Sequence, residues 1–330
     1  MSYLSEQAMP ERPAIRRGIQ TWKIPHMLKG TLTWVPAINA WRIRRASTGG
    51  SDSPRYCYST WLRHLVSLNR YGFRISDKRV GELGPGDSIG IGLAALLSGA
   101  GQYTGLDIVP FSAKANLEKI FDELVGLYLR RESIPDNDEF PRLRPRLDSY
   151  KFPGHLIDVA SCLTRAEKIR EEFRRGLNGS RLLSYQAPWT SPNDIALASL
   201  DLIFSQAVLE HVDNLEETYQ SMFAWLKPRG YASHVIDFAA HHLSPFWNGH
   251  WAYSDRQWRL VRGRREFLLN REPLSTHLAF IKKVGFEIVF LKQESGSSGL
   301  NEQDLSGRFR GLDTDDLRTS GVVMVLRKPL

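Results

Sequence analysis

Residues 79–90 read Arg79-Val80-Gly81-Glu82-Leu83-Gly84-Pro85-Gly86-Asp87-Ser88-Ile89-Gly90. The segment Arg79–Leu83 predicts a short strand that stops at Gly84, and Ile89–Ser98 predicts a small-residue helix. Glycines at 84 and 86 let the backbone turn tightly and approach a ligand closely. The helix that follows presents unpaired N–H groups at its start. This is the pattern of a nucleotide- or nucleoside-binding turn, although a purely structural strand-to-helix connection has the same look.

Outward from this loop the chain alternates. Further strands are predicted at Thr104–Val109, Leu182–Tyr185, Leu200–Ser205, Tyr231–Phe238, Glu287–Lys292 and Gly321–Arg327. Helical patterns lie between most of them, including an amphipathic one over Ala115–Arg131 and a charged one over Leu163–Leu177. Alternation of this kind predicts an α/β fold with a parallel sheet covered on both faces. The last two strands have only a loop between them, which predicts an antiparallel hairpin at one edge. Open sheets bind ligands at the carboxyl ends of their strands.

Asp107 closes the second strand about 20 residues past the glycines, where a carboxylate can accept hydrogen bonds from ribose hydroxyls. An acid that merely caps a strand would stand at the same position. The glycine spacing is G-x-G-x-x-x-G rather than the dinucleotide G-x-G-x-x-G. Acids at Glu82 and Asp87 flank the loop, which suits a ligand with a cationic end better than a pyrophosphate.

Four segments taken together, Glu82–Gly90 (ELGPGDSIG), Gly105–Ile108 (GLDI), Asp201–Val212 (DLIFSQAVLEHV) and Leu226–Gly230 (LKPRG), resemble class I S-adenosylmethionine-dependent methyltransferases. The nearest type is the small-molecule group with quinone-biosynthesis and sugar-modifying members. The resemblance spans roughly residues 79–292. It implies a Rossmann-like, seven-stranded, mostly parallel sheet with an antiparallel last strand. S-adenosyl-L-methionine is the cofactor it implies. Glu82, Gly84, Pro85 and Gly86 would line the methionine end, Asp107 would hold the ribose, and Ile108 would lie against adenine. The acid that the family places near the adenine amino group is missing from Ser184–Pro188, so Tyr185 or Gln186 is expected to stand in. Ser205 and Gln206 open the cofactor-facing loop after the fourth strand.

Methyl transfer to a hydroxyl benefits from a general base. His211, after the fourth strand, and Asp237, His241 and His242, after the fifth, are the candidates, with an Asp–His pair orienting an imidazole. Histidine is a poor magnesium ligand, so no metal is expected at Asp237, His241 and His242. The aromatic- and arginine-rich excursion 239–271 is expected to form a lid over a small-molecule or glycan acceptor, with most of its aromatics packing the lid itself. Residues 132–163, rich in proline and charge, read as an insertion that with the charged helix reaches about residue 180. Arg55 and Tyr56, at the start of a helix predicted over 55–72, are placed to reach the site.

The chain has 330 residues, 42% of them hydrophobic and 24% charged, and two cysteines. This is ordinary for a globular protein and too little cysteine for a disulfide framework. A cytoplasmic protein without secretory leader is the expectation, with peripheral association with a membrane as the alternative. The net charge of +8 is uneven, because residues 1–78 hold 13 Lys/Arg against 4 Asp/Glu. Residues 1–54 are expected to be a basic, partly disordered extension to a methyltransferase domain at 55–330, with residues 1–20 the loosest part. The segment 21–45 is a candidate for an anionic membrane surface. With Trp22, Trp34, Trp41 and Trp61 it is alternatively a nucleic-acid surface for an RNA methyltransferase. A non-catalytic cofactor-binding protein is the remaining alternative.

Overall fold

The computed structural model describes residues 20–45, 50–108, 116–175, 180–189 and 192–330. Seven strands, β1 (Arg79–Leu83), β2 (Gln102–Leu106), β3 (Leu183–Gln186), β4 (Leu200–Gln206), β5 (Leu226–Asp237), β6 (Glu287–Ser295) and β7 (Thr319–Arg327), form one sheet. Its order is β3-β2-β1-β4-β5-β7-β6. The first five strands pair in parallel, and β7 runs antiparallel between β5 and β6. The order reverses between β1 and β4, which places a crevice at their carboxyl ends. The expected seven-stranded sheet and closing hairpin are both present. The expected looseness of residues 1–19 and the end of the second strand at Val109 fall outside the described residues.

Ten helices surround the sheet among the described residues: α1 (Lys23–Leu32), α2 (Pro36–Arg45), α3 (Pro54–Asn69), α4 (Gly90–Leu97), α5 (Leu117–Leu129), α6 (Cys162–Arg175), α7 (Leu215–Trp225), α8 (Asp255–Arg262), α9 (Leu274–Val284) and α10 (Thr314–Arg318). One face of the sheet is covered by α3, α4, α5 and α6 around Trp61, Leu93, Phe121 and Phe204. The other is covered by α7 and α9 around Tyr219, Met222, Trp225 and Ile281. The helix α3 starts on Pro54 with the Ser53 hydroxyl accepting from the Tyr56 N–H, a regular N-cap. Its buried Arg63 donates to the carbonyls of Pro135 and Leu143 and to Asn137 Oδ1, pinning the proline-rich insertion against the sheet domain.

The segment 21–45, for which the sequence predicts no helix, forms α1 and α2. Its first helix docks on α8, within the excursion 239–271. A Cβ at Gly30 would fall 2.0 Å from the Leu260 carbonyl oxygen, so the two helices approach at backbone distance. Trp22 meets Tyr253 edge-on at 5.3 Å, and Lys23 Nζ donates to the Ala252 carbonyl. Trp61 is fully buried. The four-tryptophan stacking surface therefore loses Trp61 to the core and Trp22 to the lid contact, because both rings find apolar partners within the fold. No helix among the described residues is long and apolar enough to cross a membrane.

Candidate active site

A cleft of about 1730 Å³ opens at the carboxyl ends of β1 and β4. That exceeds the roughly 300–1,000 Å³ of a single small-ligand pocket, so it has room for two ligands side by side. Gly84, Pro85, Gly86, Asp107, Ile108 and Gln206 line it, as do His211, Asp237, His241 and His242. The structure thus brings the glycine loop, the acid after β2 and the histidine cluster onto one cavity.

The glycine turn is built by conformation. Gly84 and Gly86 have φ of +64° and +74°, values a side chain resists. The Gly84 N–H donates to the Leu106 carbonyl at 2.8 Å. Asp107 then ties the turn down, with Oδ2 accepting from the Gly86 N–H at 3.1 Å and Oδ1 from the Ile108 N–H at 2.7 Å.

Glu82 sits one layer deeper. It is buried within β1, and the Tyr103 hydroxyl donates to its Oε2 at 2.5 Å. Burial pushes its pKa up to about 8; the Tyr103 hydrogen bond pulls it down and the Asp107 charge adds to the rise. Ser205 is likewise buried and pairs with His234 Nδ1 at 2.8 Å. Neither Glu82 nor Ser205 is among the lining residues. Gln206 does line the cleft and is held there by His64 of α3, whose Nε2 lies 3.2 Å from Gln206 Oε1 while Nδ1 pairs with Ser233 at 2.7 Å.

The adenine side differs from expectation. Of the stretch after Leu183, it is Trp189 that lines the cleft, whereas Tyr185 and Gln186 are not among the lining residues. Tyr185 and Gln186 pair with Gly105 and Leu106 on β3, the edge strand, while Trp189 lies past the strand end. Its N–H donates to the Asp107 carbonyl at 2.9 Å and its ring meets Trp225 edge-on at 5.6 Å. An aromatic three residues past a strand end is a weak sequence signal, and the absence of the family acid is what points to a substitute.

The histidine cluster forms where the chain leaves β4 and β5. His241 Nε2 lies 3.2 Å from Asp237 Oδ2, an ion-pair distance without hydrogen-bond geometry. Burial opposes ionisation of Asp237, but His241 and the Ala239 N–H together hold its pKa below the ordinary carboxylate value. His241 and His242 follow with φ of +44° and +66°, two consecutive left-handed residues. Backbone strain of this sort is retained where the surroundings fix a functional turn. The His211 ring stands 5.1 Å from that of His241, and burial, with the nearby His241, lowers its pKa to about 4. Below them Glu210 is buried, its Oε1 accepting from the Asp237 N–H at 3.3 Å and its Oε2 without a hydrogen-bond partner. Burial pushes its pKa well above the ordinary range. One donor atom each of Glu210, His211 and His241 lies within 4.8 Å of the others. A carboxylate with two imidazoles suits a transition-metal ion more than magnesium. This is a different trio from the Asp237, His241 and His242 set considered in sequence.

Two walls come from segments to which sequence gave no site role or only a partial one. The insertion supplies Glu139, Phe140, Arg142 and Arg144, and the loop after β6 supplies Ser297 and Ser298. Arg144 Nε and Glu294 Oε2, at 3.3 Å, tie the insertion to the end of β6 that leads into that loop. Of the lid aromatics, Phe246, Trp247 and Phe267 reach the cleft, while Trp251, Tyr253 and Trp258 pack lid clusters. Tyr56 lines the cleft, and Arg55 is engaged by Glu139 at 2.6 Å.

The family model described as a methyltransferase domain matches residues 156–233, a span that starts just before α6 and ends within β5. No curated protein matches the sequence. Among solved structures, an S-adenosylmethionine dependent methyltransferase from Mesorhizobium loti is similar at 12% identity, covering 81% of this chain and 98% of that one with a TM-score of 0.41. Phosphoethanolamine N-methyltransferase 2 of Haemonchus contortus, solved in complex with S-adenosyl-L-methionine, is similar at 14% identity, covering 82% and 53% with a TM-score of 0.39.

Proposed function

We propose that this chain, a class I S-adenosyl-L-methionine-dependent methyltransferase, methylates a hydroxyl group on a small molecule or saccharide unit. The observation that carries the acceptor chemistry is the 3.2 Å approach of Asp237 to His241 on the same cleft as the glycine loop.

S-adenosyl-L-methionine supplies a methyl group already activated on a sulfonium, so the chain's work is orientation, water exclusion and proton removal. The Gly84–Gly86 turn would take the methionine end, with Glu82 adding a carboxyl behind it. Asp107 would hold the ribose hydroxyls, and Ile108 and Trp189 would flank the adenine. Asp237 orients the His241 imidazole and leaves its second ring nitrogen to accept the hydroxyl proton. Arg142 and Arg144 offer hydrogen bonds to a polar acceptor, and Trp247 and Phe267 offer apolar faces.

The test is transfer of a carbon-13 methyl group from the cofactor to a panel of nucleotide sugars, free saccharides and phenols. A labelled carbon in an ether linkage by NMR supports hydroxyl methylation. A label on nitrogen or carbon in the preferred product overturns it.

A further inference from the structure

We propose that α1 and α2 form a docking face for an anionic lipid bilayer. The proposal is independent of which acceptor is methylated.

The first observation is where the apolar surface lies. Among the described residues, thirteen large hydrophobic side chains are exposed, and seven of them fall between residues 24 and 41. On α1 the buried positions are Lys23 and Gly30, with Met27 partly buried between them, and they face α8. On the opposite side, Ile24, Leu28 and Leu32 follow at i, i+4 and i+8, with Leu28 61% exposed. These three form one stripe on the helix. Trp34 and Val35 continue it through the turn, and Ile38 and Trp41 extend it at i, i+3 on α2, with Trp41 56% exposed. Isolated exposed apolar residues are normal on a protein surface, but a contiguous run of this size marks an interaction site.

The second observation is charge. Residues 20–45 contain five Lys/Arg and no Asp or Glu. An apolar stripe with tryptophans, flanked only by positive charge, is the composition of helices that lie in the headgroup region of anionic membranes. The face is also held rigid, since the Thr33 hydroxyl accepts from the Arg264 N–H at 2.7 Å and Gly30 packs on the α8 backbone. Arg42 of the same α2 lines the cleft, so docking through this face sets the mouth of the active site beside the bilayer.

Flotation of the full-length protein with vesicles of phosphatidylcholine, with and without phosphatidylglycerol, tests this. Binding is expected with phosphatidylglycerol and is expected to fall steeply with added salt. The double variant Leu28→Ser, Trp41→Ser should lose roughly tenfold or more of the vesicle partitioning. Lys29→Glu should lose a similar factor on phosphatidylglycerol alone. Affinity for S-adenosyl-L-methionine by calorimetry should stay unchanged in both, which shows that the variants fold. Unaltered flotation of the double variant overturns the proposal. So does a wild-type protein that ignores vesicles, whether or not it binds single-stranded RNA, or a wild-type protein that is a dimer in solution and becomes a monomer in the double variant.

Discussion

The Gly86 N–H donates to Asp107 Oδ2 across 3.1 Å. The loop after β1 and the acid after β2 are therefore one unit. β1 and β2 pair in parallel with Leu83 opposite Leu106, so the turn and the acid leave the sheet side by side. Asp107 both shapes the glycine turn and presents a carboxylate to the cleft.

Asp107→Ala removes both contributions. Hydrogen bonds to a charged group are each worth about 1.5–3 kcal/mol, so cofactor affinity measured by calorimetry should fall about 100-fold. Asp107→Asn keeps an oxygen for the Gly86 N–H and should cost about tenfold. Wild-type affinity in the alanine variant would remove Asp107 from ribose recognition.

Gly84→Ala should lower both the thermal midpoint and cofactor affinity. At φ of +64° the added Cβ is strained, and it would lie 2.7 Å from Val208 Cγ2. The backbone cost is about 1–3 kcal/mol. Gly311→Ala makes the comparison, because Gly311 has φ of +89° with nothing within 4 Å of an added Cβ. It should destabilise the protein without affecting cofactor binding. Equal cofactor affinity in the two variants would show that the crowding at Val208 has no bearing on the site.

What the sequence made readable was local. The strand at Arg79–Leu83, its glycine turn and the acid at 107 are short-range patterns, and register then aligns them. The wall formed by Phe140 and Arg144 was hidden because its position depends on Arg63, which reaches Pro135 and Leu143 from more than 70 residues away. The helix at Lys23–Leu32 was hidden for a different reason. Ile24, Leu28 and Leu32 keep a helical spacing, but Pro25 and Gly30 interrupt the segment, and the side that packs on α8 carries Lys23, Met27 and Gly30 rather than an apolar run. Tyr185 was a reasonable substitute for the missing acid by position, but it is Trp189, three residues past the end of β3, that lines the cleft.

Glu82 makes stability depend on pH in an unusual direction for a carboxylate. Its pKa is raised from an ordinary 4.5 to about 8, so the native state keeps a proton that the unfolded chain releases. This contribution is complete below about pH 4.5 and is lost as pH rises toward 8, by up to about 1.4 kcal/mol per pH unit. Glu82→Gln cannot titrate. Urea midpoints at pH 5, 7 and 9 should therefore fall more steeply in the wild type than in the variant, and parallel profiles would mean that Glu82 is ionised in the folded protein.

The Asp237–His241 pair is separable from cofactor binding by kinetics. A positioned general base contributes about 10²–10⁴-fold to rate, so His241→Ala should lower turnover on an identified hydroxyl acceptor by that order while cofactor affinity stays within about twofold. Asp237→Asn keeps the shape but loses the charge that orients the ring, and should give an intermediate loss. His242→Ala changes an exposed neighbour in the same left-handed turn, and its smaller effect would separate the imidazole's role from that of the loop. His211, 5.1 Å away and kept neutral by burial, is the remaining base. If His241→Ala leaves turnover intact and His211→Asn abolishes it, the proton goes to His211 instead. If cofactor affinity falls in step with turnover in every variant, the cluster supports the fold of the loop and takes no proton at all.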